Sequence, residues 1–310
     1  MGDYYGSAVN RSARLRGIGH GGQVLVSSAT AELVRDLSPP VPLKDMGKHE
    51  LKDLAEPEHV YQLLVPGLPA DFPPLRSLEA AAHNIPAQPT SFIGREAEIE
   101  EICGLLAETP CVTLTGIGGT GKTRLGLEVG RESLDTYSDG VWFVDLSPIT
   151  DESLVHRDVA SVLGVEEEFL NDSFKDKNML LLDNCEHLLD TCAKAVSTWL
   201  EQAPDVRILT TSREALGIPG EVIRRISSLS APDESDATSE TVMNFEATRL
   251  FAERASNVYA AFELTDENCA SVARIARRLD GIPLAIELAA AMARVLSPEQ
   301  IAARLDDRFR

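Results

Sequence analysis

The stretch Gly116-Ile117-Gly118-Gly119-Thr120-Gly121-Lys122-Thr123 decides how the rest of the chain is read. It fits the pattern G-x-x-x-x-G-K-[ST], with an apolar, β-type run before it (Cys111 to Thr115) and a helical pattern after it from Arg124. That strand–loop–helix setting is what a phosphate-binding loop requires; an ordinary glycine-rich loop with a chance lysine would not need it. Gly116, Gly118, Gly119 and Gly121, with Thr120 between them, let successive backbone N–H groups turn inward around phosphate oxygens. The next helix points its positive end at the same place. Lys122 is placed to reach the β- and γ-phosphates, and the Thr123 hydroxyl to sit on Mg²⁺. The loop implies a nucleoside triphosphate as ligand.

Around this loop the pattern is α/β over residues 91–229. Strand candidates follow one another at Cys111–Thr115, Val141–Asp145, Met179–Asp183, Val206–Thr211 and Val222–Ile226, most of them separated by helical stretches. Alternation of that kind predicts crossover connections and a parallel sheet flanked by helices. Met179 to Leu182 is apolar at every position, as a strand covered on both faces should be. Between Val165 and Asn178 there is little room, so the helix before the third strand is expected to be reduced. Ahead of the first strand, Phe92-Ile93-Gly94-Arg95-Glu96 leads into a helix with Ile99, Ile102 and Leu106 on one face. Residues 240–310 read as helices only: Glu246–Asn257, Asp266–Leu279, the nearly all-apolar Leu284–Val295, and a last helix opened by the capping box Ser297-Pro298-Glu299-Gln300. A small helical bundle beside the sheet is expected, still helical in character where the sequence stops.

Two further positions carry chemistry. Asp183 ends the third strand after four apolar residues; such a carboxylate either caps a turn or orders Mg²⁺, and the phosphate loop upstream favours the metal role. Asn184 follows it, and an amide cannot deprotonate an attacking water. Glu186 is either that base or a solvated residue at a helix start. Slow rather than rapid hydrolysis is expected. Thr210-Thr211-Ser212-Arg213 closes the fourth strand. If that strand lies between the first and third, Arg213 points toward the γ-phosphate; otherwise it pairs at the surface with Glu214 or Glu221. Gly281-Ile282-Pro283-Leu284-Ala285 is a helix–helix turn, Gly ending one helix and Pro starting the next.

Together the Phe-Ile-Gly-Arg-Glu entry, the phosphate loop, Leu-Leu-Leu-Asp-Asn, Thr-Thr-Ser-Arg and Gly-Ile-Pro-Leu-Ala resemble the STAND signalling ATPases of the NB-ARC-related group, from about Thr90 to Arg310. The resemblance implies that Arg95 lies near the base and ribose and that Pro283 packs on adenine. One nucleotide then holds two bodies together, closed with ADP and open with ATP, with self-association in the ATP state. The winged-helix domain that follows in that family, with its His, is not in this sequence.

Upstream, residues 66–90 are proline-rich and read as an extended linker. Residues 1–65 alternate strand-like and helix-like pieces: Gln23 to Ser27, Ala29 to Arg35, Leu43 to Leu54 and His59 to Val65. Before them Asp3-x-x-Gly6-x-x-Val9-Asn10-x-x-x-Arg14-Leu15 resembles the transition-state segment of class III adenylate/guanylate cyclases. The resemblance implies a ribose and α-phosphate role for Asn10 and Arg14, and an adenine-reading role for Asp3. That family's two metal-binding aspartates precede this segment and are not in the sequence. A cyclase remnant is therefore expected, active only if another polypeptide supplies the missing half. The order cyclase then ATPase is similar to large actinobacterial regulators, many ending in a LuxR-type DNA-binding domain. No helix-turn-helix is visible here.

Composition excludes several classes. Acidic residues outnumber basic ones by 49 to 29, for a net charge of −20, which disfavours non-specific binding to nucleic acid or an anionic membrane. Five cysteines without C-x-x-C spacing read as reduced, mostly core thiols of a cytoplasmic protein. There is no membrane-length apolar run. The reading is thus an ATP/ADP- and Mg²⁺-binding signalling switch; an adenylate cyclase and a transcription regulator whose DNA-binding part lies elsewhere are its alternatives.

Overall fold

The computed structural model describes residues 11–12, 15–16, 18–34, 42–49, 58–65, 69–70, 72, 75, 83–137, 139–174, 178–233 and 238–308. They divide into two compact units, Met1–His83 with Ser138–Gly140, and Asn84–Tyr137 with Val141–Arg310.

In the first unit β1 (Leu25–Ser27), α1 (Ser28–Val34), β2 (Leu43–His49) and β3 (Glu58–Leu63) follow in order. The strands form an antiparallel sheet with β3 in the centre. A bulge between Asp45 and Gly47 bends β2, and the Gly47 N–H is turned back onto Asp45 Oδ1 at 2.8 Å. Val60 is fully buried and packs with Leu15, Ile18 and Leu75. Glu58 caps the start of α1 through the N–H and hydroxyl of Ser28 and also pairs with Arg11 at 3.1 Å. Asp3, Asn10 and Arg14 lie outside the described residues.

The second unit opens with α2 (Glu96–Glu108), then β4 (Cys111–Thr115), α3 (Lys122–Glu132), β5 (Val141–Asp145), α4 (Val155–Leu163), α5 (Leu170–Ser173), β6 (Met179–Asp183), α6 (Leu189–Gln202), β7 (Arg207–Ser212) and β8 (Glu221–Arg225). All five strands run parallel in the order β5-β6-β7-β4-β8. The period-2 alternation of side chains splits β6 between two cores. Leu180 and Leu182 join Val155, Val159, Val196 and Trp199 on one face. Met179 and Leu181 join Ile102, Leu106, Leu125 and Val129 on the other. Helices on both faces explain why this strand has no polar alternation before Asp183. After α4, the stretch from Val165 to Asn178 ahead of β6 holds only a short 3-10 turn and the four-residue α5 among the described residues.

Residues 84–90, assigned by composition to the linker, pack on this sheet instead. Asn84 exchanges two hydrogen bonds of 2.6 Å with the backbone of Phe143, satisfying the exposed edge of β5. Ile85 is buried with the α3 face.

The chain then becomes helical: α7 (Ser239–Val242), α8 (Glu246–Val258), α9 (Cys269–Arg278), α10 (Pro283–Ala291) and α11 (Pro298–Arg308). These helices build a separate core on Phe251, Val272, Ile275, Ile286 and Ile301. The apolar run expected to be helical to Val295 breaks earlier. After Ala291 it tightens into a 3-10 turn over Met292–Arg294, and Ser297, which precedes Pro298, lies outside helical geometry. Ser297 and Gln300 then cap α11 reciprocally, each side chain accepting the other's backbone N–H. No helix among the described residues is long and apolar enough to cross a membrane.

Candidate functional site

The loop between β4 and α3 is closed on itself before any ligand is considered. Thr120 Oγ1 donates to Ile117 O at 2.9 Å, and Lys122 Nζ folds back onto Gly116 O (2.9 Å) and Ile117 O (3.2 Å). Lys122 is half-buried, and that burial pulls its pKa below the usual lysine range. Nearby Arg213 adds to the fall, while Glu186 and Asp183 oppose it. A half-buried ammonium held by two carbonyls is placed to exchange them for phosphate oxygens.

Asp183 stands at the end of β6, 3% exposed, between two hydroxyls. Thr123 Oγ1, on the first turn of α3, donates to its carboxylate at 2.8 and 3.0 Å. Thr211 Oγ1, on the adjacent β7, donates at 2.5 Å. Burial pushes the Asp183 carboxyl up, the two threonine hydroxyls pull it down, and Asp145 and Glu186 push it up again. Beside this carboxylate, Glu186 Oε2 is buried with no hydrogen-bond partner. Excess negative charge, hard oxygen donors and an orphaned oxygen fit a small divalent cation such as Mg²⁺.

β7 lies between β4 and β6, so Arg213 leaves the sheet beside the loop, as expected of that arrangement. Its partner is neither Glu214 nor Glu221. Arg213 Nε sits 3.3 Å from Glu186 Oε1, while Glu221 is occupied by the N–H groups of Leu216 and Gly217. Two candidate residues read separately in the sequence are therefore one ion pair. Asn184, between Asp183 and Glu186, adopts a left-handed conformation (φ 64°) that turns the chain away from the strand.

The opposite wall comes from the entry segment and the helical part. Arg95 is 3% exposed and also left-handed; its N–H donates to Glu246 Oε1 and its Nη2 to Ser227 O, both at 2.8 Å. Burial lowers its pKa, against Glu98 and Glu246, which raise it. The α10 N-terminus rests on the loop, with Leu284 N donating to Gly119 O at 3.2 Å. Gly119 has φ 83°, and a Cβ there would come within 3.3 Å of both Leu284 and Ile282, so the contact requires glycine. A Cβ at Gly121 would lie 3.9 Å from both Arg95 and Pro283. The loop, Arg95 and Pro283 thus converge.

They enclose a cavity of about 350 Å³. Phe92, Ile93, Leu229, Leu250, Pro283 and Leu284 make its apolar wall, and Lys122, Thr123, Glu186 and Arg213 its polar end. One apolar end and one charged end that presents Lys122 and Arg213 suit an aromatic base joined to phosphates, and the size is that of a small-molecule site. Gly116 lies outside it, in a neighbouring cavity with Arg213 and Arg225. Sequence reasoning missed Glu246, Arg124, Arg254 and Glu287. Each acts through a partner at least 33 residues away, and no local pattern signals that.

No family model matches the chain. It is 39% identical over 232 residues to an uncharacterized protein of Mycobacterium tuberculosis, covering 71% of this chain and 55% of that protein. It is 45% identical over 214 residues to a putative HTH-type transcriptional regulator of the same organism, covering 66% of this chain and 23% of the regulator. The chain thus spans about half or less of these relatives' lengths. Among solved structures, a Walker-type ATPase of Pyrococcus abyssi overlaps at TM-score 0.48 with 14% identity, covering 73% of this chain and 75% of that one. A STAND protein of Pyrococcus horikoshii with a tetratricopeptide repeat sensor overlaps at TM-score 0.40 with 16% identity, covering 64% of this chain and 29% of that one.

Proposed function

We propose that the chain is an ATP/ADP-binding switch module with slow ATP hydrolysis, its nucleotide held between the sheet and the helical part. The observation that carries this is the convergence of Arg95, Gly121 and Pro283 on a cavity that has Lys122 and Thr123 at its polar end. In this reading loop amides, Lys122 and the α3 N-terminus hold the phosphates, while Pro283 and Phe92 bracket the base. Thr123 and Asp183 would hold Mg²⁺, which when bound neutralises phosphate oxygens.

Hydrolysis is slow because Asn184 cannot act as a base, and Glu186 is tied to Arg213. A γ-phosphate competes with Glu186 for the guanidinium, so ATP rearranges the cavity mouth and ADP does not. Self-association in the ATP state belongs to the same reading. The name of the second mycobacterial relative favours output through transcription, with DNA contacts made outside these residues.

The test is titration calorimetry with ATP and ADP in Mg²⁺. Micromolar or tighter binding, lost in Lys122→Ala, supports the switch. Equal affinity in the two proteins, or no binding to either, sinks it.

A further inference from the structure

Arg124 follows Thr123 and so occupies the first turn of α3, where a cation opposes the helix dipole. Its charge is compensated from outside the sheet. Glu287 lies one turn beyond Pro283 on α10, and its Oε1 accepts from Arg124 Nη1 and from Arg254 Nε, both at 3.0 Å. Arg254, on α8, is only 7% exposed. The two guanidiniums meet again on the entry segment: Ser91 O accepts from Arg124 Nη2 at 3.0 Å and from Arg254 Nη2 at 2.8 Å. Arg124 Nη2 also reaches the carbonyl and hydroxyl of Thr90, and Arg254 Nη1 the carboxylate of Glu253.

We propose that Arg124, Glu287 and Arg254 form a charge latch that keeps the helical part closed over the cavity and sets how fast nucleotide leaves. They are positioning residues: all three line the cavity wall, but their charged ends are spent on one another. The effect on nucleotide release rests on the function proposed above; the closure itself does not.

Three features argue for a latch rather than incidental surface pairing. The first is burial, since a pair with Arg254 largely out of water is screened far less than an exposed one. The second is connectivity. One carboxylate oxygen and one backbone carbonyl tie together the entry segment, the phosphate-loop helix, α8 and α10. The latch adds to the other links between the sheet side and the helices: Arg95 N–H to Glu246, Leu284 N–H to Gly119 O, and Leu229 N–H to Gly281 O. The third is incompleteness. Arg124 Nε is buried without a partner, so all of its hydrogen bonds, to Glu287, Thr90 and Ser91, run through its two terminal nitrogens.

The test uses the full chain with Glu287→Gln, and with Arg124→Gln as a second variant should the first fail to fold. Hydrogen exchange without nucleotide is read over residues 283–291 and 246–258. Release of N-methylanthraniloyl-ADP is read by stopped-flow displacement. Expected are faster exchange over both segments and release about tenfold faster with association little changed. Exchange equal to wild type in a folded variant overturns the latch, whatever the nucleotide does. Faster exchange in a protein that binds no nucleotide at all would keep the latch and discard the functional reading.

Discussion

The Arg213 guanidinium and the Glu186 carboxylate face each other at 3.3 Å at the polar end of the cavity, each the nearest opposite charge to the other. Arg213 is largely exposed, so the pair itself adds little stability. Its value is that either partner can be replaced by a ligand. Arg213→Ala should lower ATP affinity about tenfold, the worth of one charge-assisted hydrogen bond, and leave ADP affinity within about twofold. Calorimetry with both nucleotides measures the ratio directly. Equal losses for ATP and ADP would remove the γ-phosphate role.

Asp183 carries a charge in a buried place and is stabilised there by only two hydroxyls. Asp183→Asn removes that penalty, so the nucleotide-free protein should gain on the order of 1 kcal/mol and melt a few degrees higher. The same change should abolish the difference in ATP affinity between Mg²⁺ and EDTA. Stability gained with function lost is the pattern expected of a site built for a ligand. A lower melting temperature with Mg²⁺ dependence intact would contradict the assignment.

Gly281 fixes how the helical part meets the strand end. It has φ 64°, its carbonyl accepts from Leu229 N at 2.9 Å, and a Cβ there would lie 2.1 Å from Leu229 O. Gly281→Ala should cost about 3 kcal/mol, from backbone strain and loss of this contact. Chemical denaturation gives the number. A change below about 0.5 kcal/mol would mean that the turn readily repacks.

Much of this was legible in the sequence because the signals are local. The strand candidates at Cys111–Thr115, Val141–Asp145 and Met179–Asp183 match β4, β5 and β6 to the residue, since apolar runs bounded by turns leave little freedom. The placement of β7 between β4 and β6 was stated as a condition, and the sheet meets it. What stayed hidden depends on distant pairings. Arg124 and Glu287 are 163 residues apart, and Arg95 and Glu246 are 151 apart. Neither periodicity nor a motif links such positions. The attachment of Asn84 to β5 was masked for another reason: a proline-rich composition describes backbone preference, not what the backbone packs against.

The central claim is that one nucleotide touches both the phosphate loop and the helical part. Hydrogen exchange with and without saturating Mg-ADP tests it most directly. Protection should rise together over residues 116–123 and 281–287, and in Lys122→Ala over neither. Protection of 116–123 alone, with 281–287 unchanged, would show a nucleotide bound to the sheet without engaging the helices, and would contradict the switch.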